Sequence, residues 1–178
     1  MPNHITIAPR IETDRLILRQ FQIGDFDAFA AMSADPGVAR FTGGVITDRA
    51  VAWEKFCRSP GWWSLLGYGL WIVEEKDSGR YVGNLGFGNF ERDIDPPLPD
   101  IPEGAWVLDR WAHGTGYAFE AMMAALDWCD AEIGGGQSCI IDPANTPSLK
   151  LANKLGFREV RRADFKGEQT IVFERATT

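Results

Sequence analysis

The sequence predicts a mixed α/β domain, a central mixed sheet of about seven strands covered by about four helices. Three observations carry this. Apolar residues alternate in some stretches and recur at helical spacing in others, in the order strand, two helices, three strands, helix, strand, helix, two strands. The stretch from "AWVLD" through a helix to "QSCIID" is a β-α-β unit, whose two strands should lie parallel with a right-handed crossover. Finally, 178 residues, 45% hydrophobic and 24% charged, suit one domain, 1–178, with one substantial core and an N-terminal extension over 1–11.

The elements follow in order. "RLILRQF" reads as a compact strand. In "GDFDAFAAMSADPG", Phe26, Phe29 and Met32 recur at helical spacing, with Asp25 as cap and Pro36-Gly37 as the end. "TDRAVAWEKFCRSPG" gives a second short helix, capped near Thr47 or Asp48 and stopped at Pro60-Gly61. "YGLWIVEEKDSGRYVGNLGFGNF" is strand, turn, strand, with Asp77-Ser78-Gly79 turning. Its four glycines from Gly79 to Gly88 mark a bulge or a close backbone approach. The acidic, proline-rich "ERDIDPPLPDIPEG" reads as a long loop without regular structure. Phe119, Met122, Met123, Leu126, Cys129 and Ile133 make one helical face, ended by Gly134-Gly135-Gly136. A last helix in "ANTPSLKLANKLGF" takes Thr146 as cap and Pro147 as first residue, and "FREVRRADF" and "QTIVFERA" form a hairpin around Lys166-Gly167.

Composition excludes several classes of function. A formal charge of −7 disfavours a general nucleic-acid groove, which needs clustered Lys and Arg. Cys57, Cys129 and Cys139 contain no CxxC pair, and with only His4 and His113 there is no basis for a disulfide scaffold, a zinc cluster or another metal site. No apolar run reaches membrane-spanning length and "MPNHITIAPR" lacks a secretion-signal core, so a soluble cytoplasmic protein is expected, without membrane or stable nucleic-acid partners.

The chemistry centres on "RWAHGTGYAFEA". His113 to Ala118 sits where the central helix begins, so backbone N–H groups from Thr115 to Ala118 are positioned to face an anion, assisted by the helix dipole. Gly114 and Gly116 allow close approach. The turn alone is compatible with a nucleotide, a coenzyme or an ordinary loop. It is not a Walker sequence, because no Gly-Lys-Ser/Thr follows, and it lies too far along the chain for a Rossmann turn.

"HGTGYA" paired with "NTPSLKLANKLGF" resembles the coenzyme-A-binding signature of the GCN5-related N-acetyltransferases, the GNAT superfamily. "ETDRLILRQF" and "GLWIVEEKDSGRYVGNLGF" are similar to the subgroup containing the ribosomal-protein alanine N-acetyltransferases, and the resemblance runs over residues 12–173. It implies a highly twisted sheet whose parallel strands splay into a V-shaped slot, a bulge in the "AWVLD" strand, acetyl-CoA as co-substrate, and often a homodimer. The carry-over places the pyrophosphate on His113, Gly114, Thr115, Gly116, Tyr117 and Ala118, with His113 standing where the family usually has Gln or Arg. Asn145 and Ser148 match the pair that faces the pantetheine arm or the thiol, and the backbone of Trp106, Val107 and Leu108 faces the acetyl carbonyl.

For proton transfer from the acceptor, the resemblance gives Glu103 as first candidate; the bland alternative is an exposed loop carboxylate. Asp109 and Asp142 are weaker candidates. The family's general-acid tyrosine is missing, with Ala152 near its position, which leaves Ser148 to hydrogen-bond the departing sulfur, or merely to help cap its helix. Phe41, Trp62 and Trp63 are expected to wall an amine pocket, and Trp71 and Trp106 to be mostly core. The acidic run Glu91, Asp93, Asp95 and Asp100 either attracts a cationic amine or is solvated. The implied reaction is direct acetyl transfer to a small-molecule or peptide amine. A catalytically weak acyl-CoA-binding module with a regulatory role is the alternative.

Overall fold

The computed structural model describes residues 5–42 and 46–176. The chain begins with β1 (Ile11–Glu12) and β2 (Leu16–Arg19), then a 3-10 turn and helices α1 (Phe26–Ala34), α2 (Pro36–Ala39) and α3 (Arg49–Leu66). Strands β3 (Leu70–Glu75), β4 (Tyr81–Gly88), β5 (Ile94–Asp95) and β6 (Glu103–Leu108) follow, then α4 (Tyr117–Glu132), β7 (Gln137–Ile141), α5 (Thr146–Lys154), β8 (Arg158–Phe165) and β9 (Glu168–Arg175). The mixed sheet runs β1-β2-β3-β4-β6-β7-β9-β8-β5, with β6 and β7 parallel. The two strands beyond the expected seven, β1 and β5, are two-residue edge pieces.

Alternation along the strands sends side chains to two layers. On one face, Leu16, Leu18, Trp71, Val73, Leu85 and Phe87 pack with Met122, Leu126 and Cys129 of α4 and with Ala152 of α5. On the other, Leu70 and Ile72 pack with Phe29, Phe56 and Trp62 of α1 and α3, and Ala105 and Val107 of β6 join them. Each large side chain fully removed from water contributes about 1.5–3 kcal/mol. Residues before β1 join the domain: the Trp71 indole donates to the Pro9 carbonyl at 2.8 Å.

The structure corrects four expectations. First, α3 runs through Pro60-Gly61 to Leu66. An interior proline costs about 3 kcal/mol, and the residues beyond it, Trp62 and Trp63, offset that cost by burying their rings. Second, the acidic connection contains β5, which pairs with Phe165 and Asp164 of β8. Third, Asn145 rather than Thr146 caps α5, its side chain accepting from the Ser148 N–H, so Thr146 is the first helical residue. Fourth, β6 carries no bulge, since its register with β4 is unbroken from Gly83↔Leu108 to Gly88↔Glu103. The glycines of β4 mark close approach: a Cβ on Gly83 would lie 2.3 Å from the Val107 carbonyl oxygen.

Candidate active site

Parallel strands β6 and β7 share one register pair, Glu103↔Ser138, reinforced by Ser138 N–H donating to the Pro102 carbonyl at 3.0 Å. Beyond it the strands diverge, and β6 from Gly104 to Leu108 has no β7 partner. This is the splayed slot, and a bulge is unnecessary to create it, because divergence already frees the β7-facing backbone groups. Across the opening, Trp106 Nε1 donates to Ser148 Oγ at 3.2 Å, tying β6 to the first turn of α5. Trp106 is half-buried against Phe157, with ring centroids 6.4 Å apart.

The glycine turn lies where β6 hands over to α4. Gly114 and Gly116 adopt left-handed φ of 77° and 85°, which a side chain would strain. Among the described residues, no backbone acceptor meets the N–H groups of Gly114, Thr115 or Gly116, and these residues are exposed. His113 braces the turn: its Nε2 lies 3.0 Å from the Leu108 carbonyl, which can only accept. Arg15 braces it from β2's side, donating to the Thr115 carbonyl at 3.0 Å and pairing with Glu120 at 2.6 Å. Tyr117 turns inward, its hydroxyl donating to Glu75, so among its polar groups only its N–H faces the turn, where Thr115 Oγ meets it at 3.3 Å. Ala118 is half-buried and packs against the core.

On the α1–α3 side of the splay lies a cavity of about 210 Å³, lined by Tyr68, Phe90, Arg92, Asp100, Glu103 and Ser138 among others. Glu103 is 5% exposed. It is no solvated loop carboxylate, because Arg92 Nε donates to both its oxygens at 2.7 and 2.9 Å. Burial raises its pKa above the ordinary carboxylate value while the Arg92 bonds and charge oppose; burial wins. Ser138 is fully buried, and its Oγ has no hydrogen-bond partner among the described residues. Sequence reading missed Arg92 and Ser138. Arg92 sits in a stretch that reads as a loop, and Ser138 reads as a small polar interruption of an apolar strand.

The aromatic expectations divide. Trp63 is fully buried at the end of α3, its Nε1 donating to the Leu70 carbonyl and its ring edge-on to Trp71 and Trp128. It is core, not a pocket wall, and Trp71 is core as expected. Trp62 meets Phe90 edge-on at 4.9 Å and so backs the cavity. Phe41 is half-buried beneath the Arg40 guanidinium and does not line the cavity. Asp142 accepts locally from the Ala144 N–H, and Asp109 stands at the N-cap position of a 3-10 turn without a side-chain capping bond; neither lines the cavity. Ala152 is buried in α5, so no acid reaches the slot from that position.

A slot between parallel strands, ending at an exposed glycine turn on a helix N-terminus, is the arrangement that the sequence resemblance implies. The acetyltransferase (GNAT) domain model matches residues 15–158. The chain belongs to the GNAT acetyltransferase family. A Bordetella pertussis protein described as a GnaT-family acetyltransferase is 30% identical, with a TM-score of 0.84 over 95% of this chain and 100% of that one. The Bacillus subtilis protein YkkB is 29% identical over 93% of this chain and 95% of its own length. RimL, a ribosomal L7/L12 alpha-N-protein acetyltransferase solved in complex with coenzyme A, shares the fold at 14% identity and a TM-score of 0.76, covering 94% of this chain and 98% of that one. GNAT-fold proteins generally bind acetyl-CoA, and acetyl-CoA-dependent N-acetyltransfer is the activity typical of this fold. No helix among the described residues is long and apolar enough to cross a membrane.

Proposed function

We propose that this GNAT chain transfers the acetyl group of acetyl-CoA directly to a primary amine held in the same complex. The carrying observation is that a buried carboxylate, Glu103, stands at the vertex of the splay, with the slot on one side and the polar cavity on the other. The residues present fit the coenzyme: open amides on a left-handed glycine turn suit a diphosphate, and the unpaired edge of β6 suits an amide-bearing arm. When bound, acetyl-CoA supplies an acetyl thioester.

The chain's own groups then divide the work. The turn from His113 through Gly114, Thr115, Gly116 and Tyr117 to Ala118 holds the phosphates, chiefly through the open N–H groups of Gly114, Thr115 and Gly116 and the dipole of α4, while His113, whose own N–H donates to the Arg110 carbonyl, braces it. Backbone N–H groups between Trp106 and Leu108 orient the acetyl carbonyl. Ser148 Oγ accepts from Trp106, which leaves its own proton to donate toward the sulfur. Asn145 caps α5 and fixes Ser148 in place. Glu103 takes up the proton of the incoming amine, its raised pKa bringing it nearer the working range of a base. Trp62 supports the cavity from behind, and the acceptor is a small amine or a protein N-terminus, the latter in keeping with the ribosomal-protein subgroup.

Calorimetric titration with acetyl-CoA, coenzyme A and ATP tests this first, followed by an amine panel with thiol release as readout. Micromolar acetyl-CoA binding, no ATP response and amine-dependent thiol release are expected. Binding without turnover of any amine would favour the regulatory alternative, and no coenzyme binding by folded protein would overturn the reading.

A further inference from the structure

The acceptor side carries a charge arrangement that the overall charge of −7 hides. Ala105 and Val107 pack toward α1 and α3, and strand alternation puts Glu103 on the same face of β6. Outward from Phe90 and Arg92 of the cavity lining, cations and aromatic rings interleave. The Arg58 guanidinium lies 4.9 Å over Trp62, Trp62 meets Phe90, Arg92 lies 4.6 Å over Phe90 and 5.3 Å over Phe165, and Lys166 lies 5.3 Å over Phe165. Arg58 comes from α3, Arg92 from the connection before β5, and Lys166 from the β8–β9 turn, so three separate segments bring cations to one chain of contacts, in which Arg92 lines the cavity and Arg58 and Lys166 stand just outside its lining. Lys55, one turn before Arg58, donates to Thr47 Oγ.

Of these four cations, only Arg92 has a carboxylate partner among the described residues, namely Glu103. Burial and then the charge of Arg92 lower the pKa of Arg58. Burial, then Arg58 and Lys166, lower that of Lys55. Cations this close repel one another, and an anion among them would relieve that repulsion. The inner cavity is the opposite: among the described residues, Glu91, Asp100 and Glu103 line it with Arg92 as the one cation.

We infer that the acceptor is a zwitterionic amine, whose ammonium enters toward Glu103 while its carboxylate or phosphate group is held at the rim by Arg58, with Lys55 and Lys166 beside it. The inference rests on the transferase reading above and names its substrate class. It replaces the simple expectation of a cationic acceptor drawn to an acidic loop. Arg58 is the specificity-determining residue, and it lies outside the slot, the glycine turn and the Glu103–Arg92 pair.

The test uses amines matched in skeleton: phenylalanine and methionine, their carboxamides, their decarboxylated amines and their phosphonate analogues. Thiol release is measured with the wild type and with Arg58→Gln, an exposed substitution. Calorimetry of the same amines against coenzyme-A-saturated protein runs in parallel. The wild type should prefer the anion-bearing members by about 10- to 100-fold in kcat/KM, the range expected of a charge-assisted contact. The carboxylate and phosphonate arms identify which anion is preferred. Arg58→Gln should erase the preference while leaving turnover of the neutral amines and the KM for acetyl-CoA unchanged. Neutral amines used as well as the acids, or a preference that survives in Arg58→Gln, would overturn the inference and leave the transferase standing. Absent coenzyme binding would instead remove the transferase, and calorimetry of the same amines and of Arg58→Gln, repeated without coenzyme, would still decide the rim.

Discussion

Glu103 and Ser138 face each other as the single register pair joining the parallel strands β6 and β7. A carboxylate held by Arg92 and a hydroxyl without a hydrogen-bond partner among the described residues thus stand on neighbouring strands, both lining the cavity. Burial raises the pKa of Glu103 and Arg92 restrains it. If Glu103 receives the acceptor's proton, the acid limb of kcat/KM should lie above the ordinary carboxylate value. Arg92→Gln leaves desolvation unopposed and should move that limb to still higher pH. Glu103→Gln should lower kcat by about 10²- to 10⁴-fold, the usual worth of a general base. Stability carries the same sign. A raised carboxylate keeps its proton in the folded state after the unfolded chain has lost it. This group's contribution to stability therefore falls as pH rises from the ordinary carboxylate value through the raised one, then levels. Chemical denaturation of wild type and Arg92→Gln across that range checks it.

The Trp106–Ser148 bond gives a second prediction. Trp106→Phe keeps the ring's bulk and removes the donor. Ser148→Ala removes the hydroxyl that both accepts from Trp106 and faces the slot. If the serine serves the leaving sulfur, Ser148→Ala should cost about tenfold in kcat, roughly the worth of one hydrogen bond to a charged group. Trp106→Phe should cost less. The KM for acetyl-CoA should change little in Ser148→Ala. Steady-state thiol release separates the two parameters, and equal losses in both variants would assign the pair a structural role only.

How far the sequence discloses this molecule depends on what kind of signal each part leaves. The β-α-β unit is legible because "AWVLD" and "QSCIID" are apolar runs flanking a strongly periodic helix, and period is a local property. The glycine turn is legible for the same reason: left-handed φ at Gly114 and Gly116 calls for that residue type on the spot. The passage of α3 through Pro60 is not, since a local breaker is overridden by the tertiary burial of Trp62 and Trp63. Nor is the Arg92–Glu103 pair, whose members lie eleven positions apart across prolines, in a connection whose short strand β5 pairs with the distant β8.

Trp63 tests the division between core and pocket. Its ring centroid lies 4.6 Å from that of Trp71 and 5.2 Å from that of Trp128, and its indole donates inward. Trp63→Ala should lose about 3–5 kcal/mol of stability, the range for truncating a buried aromatic. Trp62 backs Phe90 at the cavity, so Trp62→Phe should raise the KM for the acceptor with a smaller change in stability. Thermal melts and acceptor titrations read the two effects independently. A stable Trp63→Ala protein with altered acceptor preference would return that residue to the pocket.

The three cysteines give the last prediction, one that also bears on how activity is measured. Cys57 is exposed on α3, whereas Cys129 is buried in α4 and Cys139 in β7. Burial pushes the Cys129 thiol up to about 11, and burial together with the nearby Glu103 charge pushes Cys139 higher still. Reactivity follows the thiolate, so neither buried sulfur should react at neutral pH while the fold is intact. A disulfide reagent should therefore titrate one thiol per native chain and three after denaturation. Release of coenzyme A thiol in the same assay would then appear above a fixed single-thiol baseline. Cys57→Ser should abolish that baseline without changing turnover, since this residue touches neither the slot nor the cavity. Rapid modification of a second native thiol would mean that α4 or β7 opens locally on the timescale of the reaction, and the core that supports the vertex at Glu103 would be looser than its packing indicates.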